Sequence, residues 1–360
     1  MNNNSISCPL IFVVTDGIEH SVFAGQVIAP LIKKLEKNRE QVIYIVSFEK
    51  NPVAADVIKR YEQLHPRLKM IIFTRWPFFG AFSLYRSIIP LKRFLKQFTQ
   101  YRLIARGPLA GWIVLRAYNK KKCDQITIQA RGLLAEEYSF AYVHNKNVKG
   151  VHKWFHCFRH RALYTLEKSV YTNSPAHIEA VTPALKEFLM TTFGANEQII
   201  SVASQDIPKP IARDRVQQWR TQTRKKLKIS PTTYVYCYNG SLKSWQCPDH
   251  IISFFKSRIL VNPNSFLLVL TPDKLIFENA LLKYHISHQS VSVLSIDHAD
   301  VYHYLAAADV GIMFREPHLV SWVSRPVKAM EYEAVGLPII HNGTVAWLNE
   351  RYPHIMRDQI

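Results

Sequence analysis

The chain has little of what would take it outside the ordinary globular proteins. Only 12 of its 360 residues are glycine, and 48% are hydrophobic, which excludes a collagen-like repeat or a disordered low-complexity chain. Cysteine is scarce. Cys8, Cys123, Cys157, Cys237 and Cys247 form an odd, scattered set with no Cys-x-x-Cys pair, which argues against a disulfide framework or a zinc site and fits a reducing compartment. No apolar run, Pro108 to Leu115 and Phe266 to Leu270 included, approaches the roughly 18 residues that would span a bilayer. The amino end has no basic region, and Leu10 to Val14 is too short for a signal peptide. A cytoplasmic protein is expected, soluble or peripheral at the inner face of a membrane. P-loop and Gly-x-Ser-x-Gly signatures are both missing.

Acid is the other shortage. With 46 basic and 27 acidic residues the formal net charge is +19, which calls for an anionic partner. Between Glu62 and Asp124 there is no acidic residue, while Arg86, Lys92, Arg93, Arg102, Arg106 and Arg116 all fall inside. Within that interval, Leu91, Leu95 and Phe98 can form one apolar stripe flanked by Lys92, Arg93 and Lys96. A basic amphipathic helix of this kind suits an anionic membrane surface, and equally a helix packed on a sheet with its basic face in water.

What is present is a regular alternation of short apolar strands with longer amphipathic segments, the pattern of βα units and parallel sheets. At 360 residues, two domains are expected. Strands are expected at Leu10 to Val14, Val42 to Ser47, Met70 to Phe73, Leu103 to Ala105, Ile126 to Gln129, Ser169 to Tyr171 and Ile199 to Val202. The run Gln205-Asp206-Ile207-Pro208-Lys209-Pro210 breaks the pattern. It marks a linker at 205–212 between an N-terminal domain, 1–204, and a C-terminal one, 213–360. Past a basic segment from Arg213 to Lys228, strands resume at Tyr234 to Tyr238, Phe266 to Leu270, Val291 to Leu294, Val310 to Met313 and Pro338 to Ile340. The fold class is α/β, with two doubly wound Rossmann-like domains facing a cleft, where ligands sit at the carboxyl ends of the strands.

One stretch combines helix punctuation with charge. Ser324 suits an N-cap, Pro326 the first turn and Gly336 a C-terminal stop, predicting a helix of about three turns. Its amino end, beside Arg325 and Lys328, is the arrangement a phosphate prefers. Lys328 and Glu331 share a face, so the pair could take a diphosphate and ribose hydroxyls; the plainer alternative is an exposed surface pair. His152, His156 and His160 recur every four residues, but apart from Cys157, which falls elsewhere on that helix, no carboxylate or cysteine is placed to complete a tetrahedral set, so partly buried histidines beside Trp154 and Phe158 are expected and no metal site.

The run Met330-Glu331-Tyr332-Glu333-Ala334-Val335-Gly336-Leu337-Pro338-Ile339-Ile340 resembles the donor-binding signature of glycosyltransferase family 4, the two-lobed retaining enzymes of GT-B type. His298 to Ile312 is similar to the helix and strand before that signature, and Tyr238-Asn239-Gly240-Ser241-Leu242 to the glycine loop of the donor domain. The resemblance implies a metal-independent, retaining transferase that moves a sugar from a nucleotide-diphosphate donor to a lipid-linked or saccharide acceptor, with no cofactor beyond the donor itself. Donor binding would fall to Gly240, Ser241, Ser324 and Glu331. Lys328, Arg325 and Lys243 would meet the charge of the leaving group, and Gly25, Arg106 and Arg131 would line the acceptor side. Two departures stand out: Val323 occupies the place of the family's first glutamate, and Ser241 and Gln246 occupy those of its phosphate-neutralising Arg and Lys. Three rivals remain: a nucleic-acid or polyanion binder, for which Trp76, Phe78, Phe79 and Tyr85 lie among the basic residues; a degenerate relative without activity; and a nucleotide-sugar epimerase.

Overall fold

The computed structural model describes residues 8–19, 23–75, 80–144, 150–172, 174–204, 209–242 and 244–352. The chain divides into two compact units, Met1–Asp206 and Ile207–Ile360. Part of the expected linker, residues 205–208, lies outside the described residues, as do Lys243, Trp76, Phe78 and Phe79.

The first unit is built on a parallel sheet of β1 (Leu10–Val14), β2 (Ile43–Glu49), β3 (Leu68–Thr74), β4 (Tyr101–Arg106), β5 (Cys123–Ala130), β6 (His177–Ala180) and β7 (Ile200–Val202). Their order is β3-β2-β1-β4-β5-β6-β7. Every residue of β1 is buried, as expected of an inner strand covered by helices on both faces. The order reverses between β1 and β4, so the carboxyl ends of these two strands flank the unit's switch point.

The second unit repeats the plan with β8 (Tyr234–Asn239), β9 (Ser265–Leu270), β10 (Val291–Leu294), β11 (Val310–Met313) and β12 (Ile339–His341). All are parallel, in the order β10-β9-β8-β11-β12, and the switch point falls between β8 and β11. Two apolar clusters, one on each face, fill this unit; Leu268, Leu305 and Ile339 belong to one, Ile251, Phe255 and Phe277 to the other.

Two expectations need correction, and the basic segment takes one of its two readings. Ser169 to Tyr171 is not a strand but the end of a 23-residue helix, Gly150–Thr172. Val170 and Tyr171 are buried together with Glu167, three and four positions back, which is a helical period; the strand in that region is the more polar His177–Ala180. The apolar stripe of the basic segment is also not exposed. Leu91 and Leu95 are in the core, and Phe98 packs edge-on against Tyr44 and Phe94, so the stripe covers the sheet. Finally, the helix expected between Ser324 and Gly336 spans Val327–Ala334, about two turns, as its N-cap is Pro326. Ser324 lies before it and donates its hydroxyl hydrogen to the Ser321 carbonyl instead.

Glu167 shows how the long helix is tied down. Its fully buried carboxylate accepts from the backbone N–H groups of Leu134 (2.9 Å) and Ala135 (3.0 Å), the orphan donors at the start of the helix Leu134–Tyr138. Burial pushes its pKa from 4.5 up to about 7; Glu137 and Glu136 add to the rise, and the two N–H bonds oppose it. A raised carboxyl pKa means the folded chain holds a proton that the unfolded chain has lost. This contribution to stability is therefore full below pH 4.5 and is lost as pH rises through 7. Thermal melts of Glu167→Gln should show a flatter loss of stability across that window than the unaltered chain. Parallel curves for the two would remove Glu167 as the titrating group.

Candidate functional site

The second unit gathers buried charge at its switch point. β8 ends at Asn239, and the chain turns at Gly240, whose φ of +134° lies where side chains are strained. A Cβ there would stand 2.6 Å from the Lys328 ammonium, so a side chain would push that lysine aside as well as strain the backbone. The loop is held by Gly240 N–H donating to the Leu270 carbonyl (2.8 Å), Leu242 N–H to Asp273 (2.7 Å) and the Tyr238 hydroxyl to the Ser241 carbonyl (2.7 Å).

Lys328 and Glu331 come to this loop from the helix Val327–Ala334, and both are buried, which removes the exposed-pair reading. The helix is fixed by Tyr332, whose ring lies over Gly311 of β11 and whose hydroxyl accepts from the Asn239 N–H at 3.0 Å. A Cβ at Gly311 would meet that ring at 2.6 Å. The Lys328 ammonium donates to Gln246 Oε1 (2.6 Å) and the Tyr238 hydroxyl (3.3 Å), and lies 4.3 Å from the Tyr238 ring centroid. These partners are neutral. Burial therefore holds the pKa of Lys328 well below the usual lysine range, the nearby Arg315 lowers it further, and Glu331 acts in the opposite sense.

Gln246 occupies a place where the resemblance puts a cation, and it is here the acceptor for a cation delivered from another element. The Lys328 ammonium thus lies beside the glycine loop, at Gln246 and against Gly240. Glu331, one turn further along the helix, accepts from Asn239 Nδ2 at 2.6 Å.

Arg315 was not foreseen. It follows β11 at its carboxyl end, on the other side of the switch point from Gly240, and is buried. Asn342 and Thr344 hold its backbone, while its Nε has no hydrogen-bond partner among the described residues. Desolvation lowers its pKa. Only its position after a central strand could have singled it out in the sequence, where Phe314-Arg315-Glu316-Pro317 reads as a surface loop.

Of the other expected donor residues, Arg325 is buried ahead of the helix, Ser241 is half-buried in the glycine loop, and Lys243 lies outside the described residues. In the first unit, Arg106 is buried at the end of β4; it bonds Gln26, the neighbour of the exposed Gly25, and lies 3.5 Å from Asp16. Arg131 follows β5, the next strand. The histidines of the long helix find ordinary partners: His156 Nδ1 is 2.6 Å from the Tyr138 hydroxyl, and His160 is 3.5 Å from Glu136. Among the described residues no group of three or more His, Cys, Asp or Glu could hold a metal ion.

No protein-family model matches the chain, and no curated protein matches it. Solved structures do. A glycosyltransferase from Rickettsia africae ESF-5 is similar with a TM-score of 0.60 at 12% identity, over 93% of this chain and 79% of that one. WaaG, a glycosyltransferase involved in lipopolysaccharide biosynthesis, is similar with a TM-score of 0.63 at 13% identity, over 95% and 83%. The UDP-GlcNAc 2-epimerase from Neisseria meningitidis bound to UDP-GlcNAc gives 0.53 at 10% identity, over 92% and 82%. At these identities the likeness is one of fold. The two parallel α/β sheets match those of GT-B glycosyltransferases.

Proposed function

We propose that the chain is a glycosyltransferase whose second unit binds a nucleotide-diphosphate sugar, in the manner of retaining, metal-independent members of family 4. The observation that carries this reading is the pair of buried cations, Lys328 and Arg315, at the switch point of the second sheet. Buried charge is costly unless it is paired, and here the ammonium faces neutral acceptors. An anion completes the site. A diphosphate fits because charge develops on it as the sugar departs, and fixed cations stabilise that charge most in a site closed to water. Glu331 is assigned the ribose hydroxyls. The first unit is assigned a saccharide or lipid-linked acceptor, near Gly25, Arg106 and Arg131, in the cytoplasm. The similarity to a glycosyltransferase of lipopolysaccharide biosynthesis and to an epimerase bound to UDP-GlcNAc supports a nucleotide-sugar substrate without choosing the reaction.

The test is a thermal-shift screen of UDP-, GDP- and ADP-sugars with and without a chelator. A donor at 100 times its dissociation constant should add roughly 2.7 kcal/mol, and the shift should survive chelation. No shift from any donor would remove the donor site, and a shift abolished by chelation would remove its metal independence. Turnover of a stabilising donor to its epimer without any acceptor would replace the transferase with an epimerase.

A further inference from the structure

Three helices cover one face of the first sheet side by side: Gly80–Leu95, Gly107–Ala117 and Gly150–Thr172. The first two contain no acidic residue, and the only one in the third is Glu167, fully buried on its two backbone N–H groups. Arg86, Lys92, Arg93, Arg116, Arg159 and Arg161 are exposed on this layer. The outer side of the three helices thus bears cations and no carboxylate of their own.

The long helix adds a feature that water does not favour. Val151, Trp154, Phe155 and Phe158 follow the i, i+3, i+4, i+7 period of one helix face, and they are 82%, 70%, 52% and 63% exposed. Such a stripe ordinarily packs inward, and at the far end of the same helix Val170 and Tyr171 do so. Here it faces solvent, with the Trp154 and Phe158 rings stacked on each other at 6.2 Å and Arg159 and Arg161 on either flank. Tyr85 and Ile89 are exposed on the first helix of the layer.

We propose that the exposed face of the long helix docks the protein on an anionic membrane, with the stripe Val151-Trp154-Phe155-Phe158 entering the headgroup boundary and the flanking Arg159 and Arg161 meeting the lipid phosphates. Charge complementarity points to an anionic partner, and the apolar stripe distinguishes a bilayer from a nucleic acid. Two of the rings already stack on each other, and Val151 has no ring to offer a base. The surface belongs to the first unit and does not depend on the donor-site reading.

The experiment is co-sedimentation of the full chain with phosphatidylcholine vesicles, with and without phosphatidylglycerol, at rising salt. Binding should require phosphatidylglycerol and weaken with salt. The double substitution Trp154→Ala/Phe158→Ala should weaken it by about tenfold to a hundredfold, and Arg161→Gln by about fivefold. The melting temperature should stay unchanged, since these side chains are exposed. Undiminished binding by the double variant, equal binding to neutral vesicles, tighter binding to single-stranded RNA at the same salt, or a dimer that the double substitution dissolves would each overturn the proposal.

Discussion

Lys328→Met should lower glycosyl transfer by about a hundredfold to a thousandfold, the usual loss when one fixed donor to developing charge is removed, while leaving the fold at least as stable. The two expectations come from the same geometry. Methionine keeps the length and volume of the lysine stem, so no large cavity forms. What disappears is an ammonium that the folded protein holds at a cost, with burial and Arg315 both acting against its charge. The melt should therefore stay level or rise, against a small loss from the unpaired Gln246 carbonyl oxygen. A sharper check is to return the cation from the other side. Gln246 Oε1 lies 2.6 Å from the ammonium, so Gln246→Lys in the Lys328→Met background puts a charge back near the same point and should recover part of the activity. Donor affinity of the unaltered chain should also fall at high pH, and sooner than an ordinary lysine would dictate, because the binding form is the protonated one and its pKa is lowered. Titration calorimetry and turnover for the single and double variants decide the matter. Full activity in Lys328→Met would detach this lysine from the chemistry, and failure of Gln246→Lys to restore any would show that position, not charge alone, is what Lys328 supplies.

Where the sequence was legible, one-dimensional patterns carried the physics. Continuous apolar runs such as Leu10 to Val14 are what inner strands of a parallel sheet require, and the fold class follows from their alternation with helices. β6 was missed because His177-Ile178-Glu179-Ala180 has polar residues at alternate positions, whereas Val170-Tyr171 imitates a strand until its spacing from Glu167 is noticed. Lys328 and Glu331 could be placed on one helix face from their spacing alone. That this face is buried could not, because burial there depends on Tyr238, Asn239 and Gln246, more than 80 residues away along the chain. Arg315 is the extreme case: its significance is its position across a switch point, which no local window contains. The basic segment from Arg213 likewise reads as solvated charge, although two of its arginines are structural.

Those two arginines set the largest expected effect on stability. Arg220 and Arg224 are one turn apart on the helix Arg213–Lys226, and both reach Asp309, at 2.6 and 2.7 Å. Asp309 also accepts from the Val235 N–H at 2.7 Å, and its own N–H donates to the Val235 carbonyl at 2.8 Å. Arg224 is buried and spends its remaining hydrogens on the carbonyls of Ala307, Ser230, Pro231 and Thr233. Burial and the neighbouring Arg220 lower its pKa, with Asp309 acting the other way. Asp309→Ala would leave two guanidinium groups facing each other, one of them out of water, which costs about 3 to 5 kcal/mol, a large part of the roughly 5 to 15 kcal/mol that holds a domain together. Asp309→Asn should not rescue it, since its amide nitrogen would point a donor at an arginine or at Val235 N–H. Arg224→Met in the Asp309→Ala background should return part of the loss, because the uncompensated buried charge goes with it. Urea titrations of the three variants measure this, and a loss below about 0.5 kcal/mol for Asp309→Ala would mean the cluster behaves like an exposed pair. The consequence reaches the candidate site. Asp309 immediately precedes β11 and fixes it to the start of β8, in the register Val310 to Tyr236, while the far ends of the same two strands carry Arg315 and Gly240. Loosening the anchored ends should therefore weaken donor-induced stabilisation in the second unit even at temperatures where the variant is still folded.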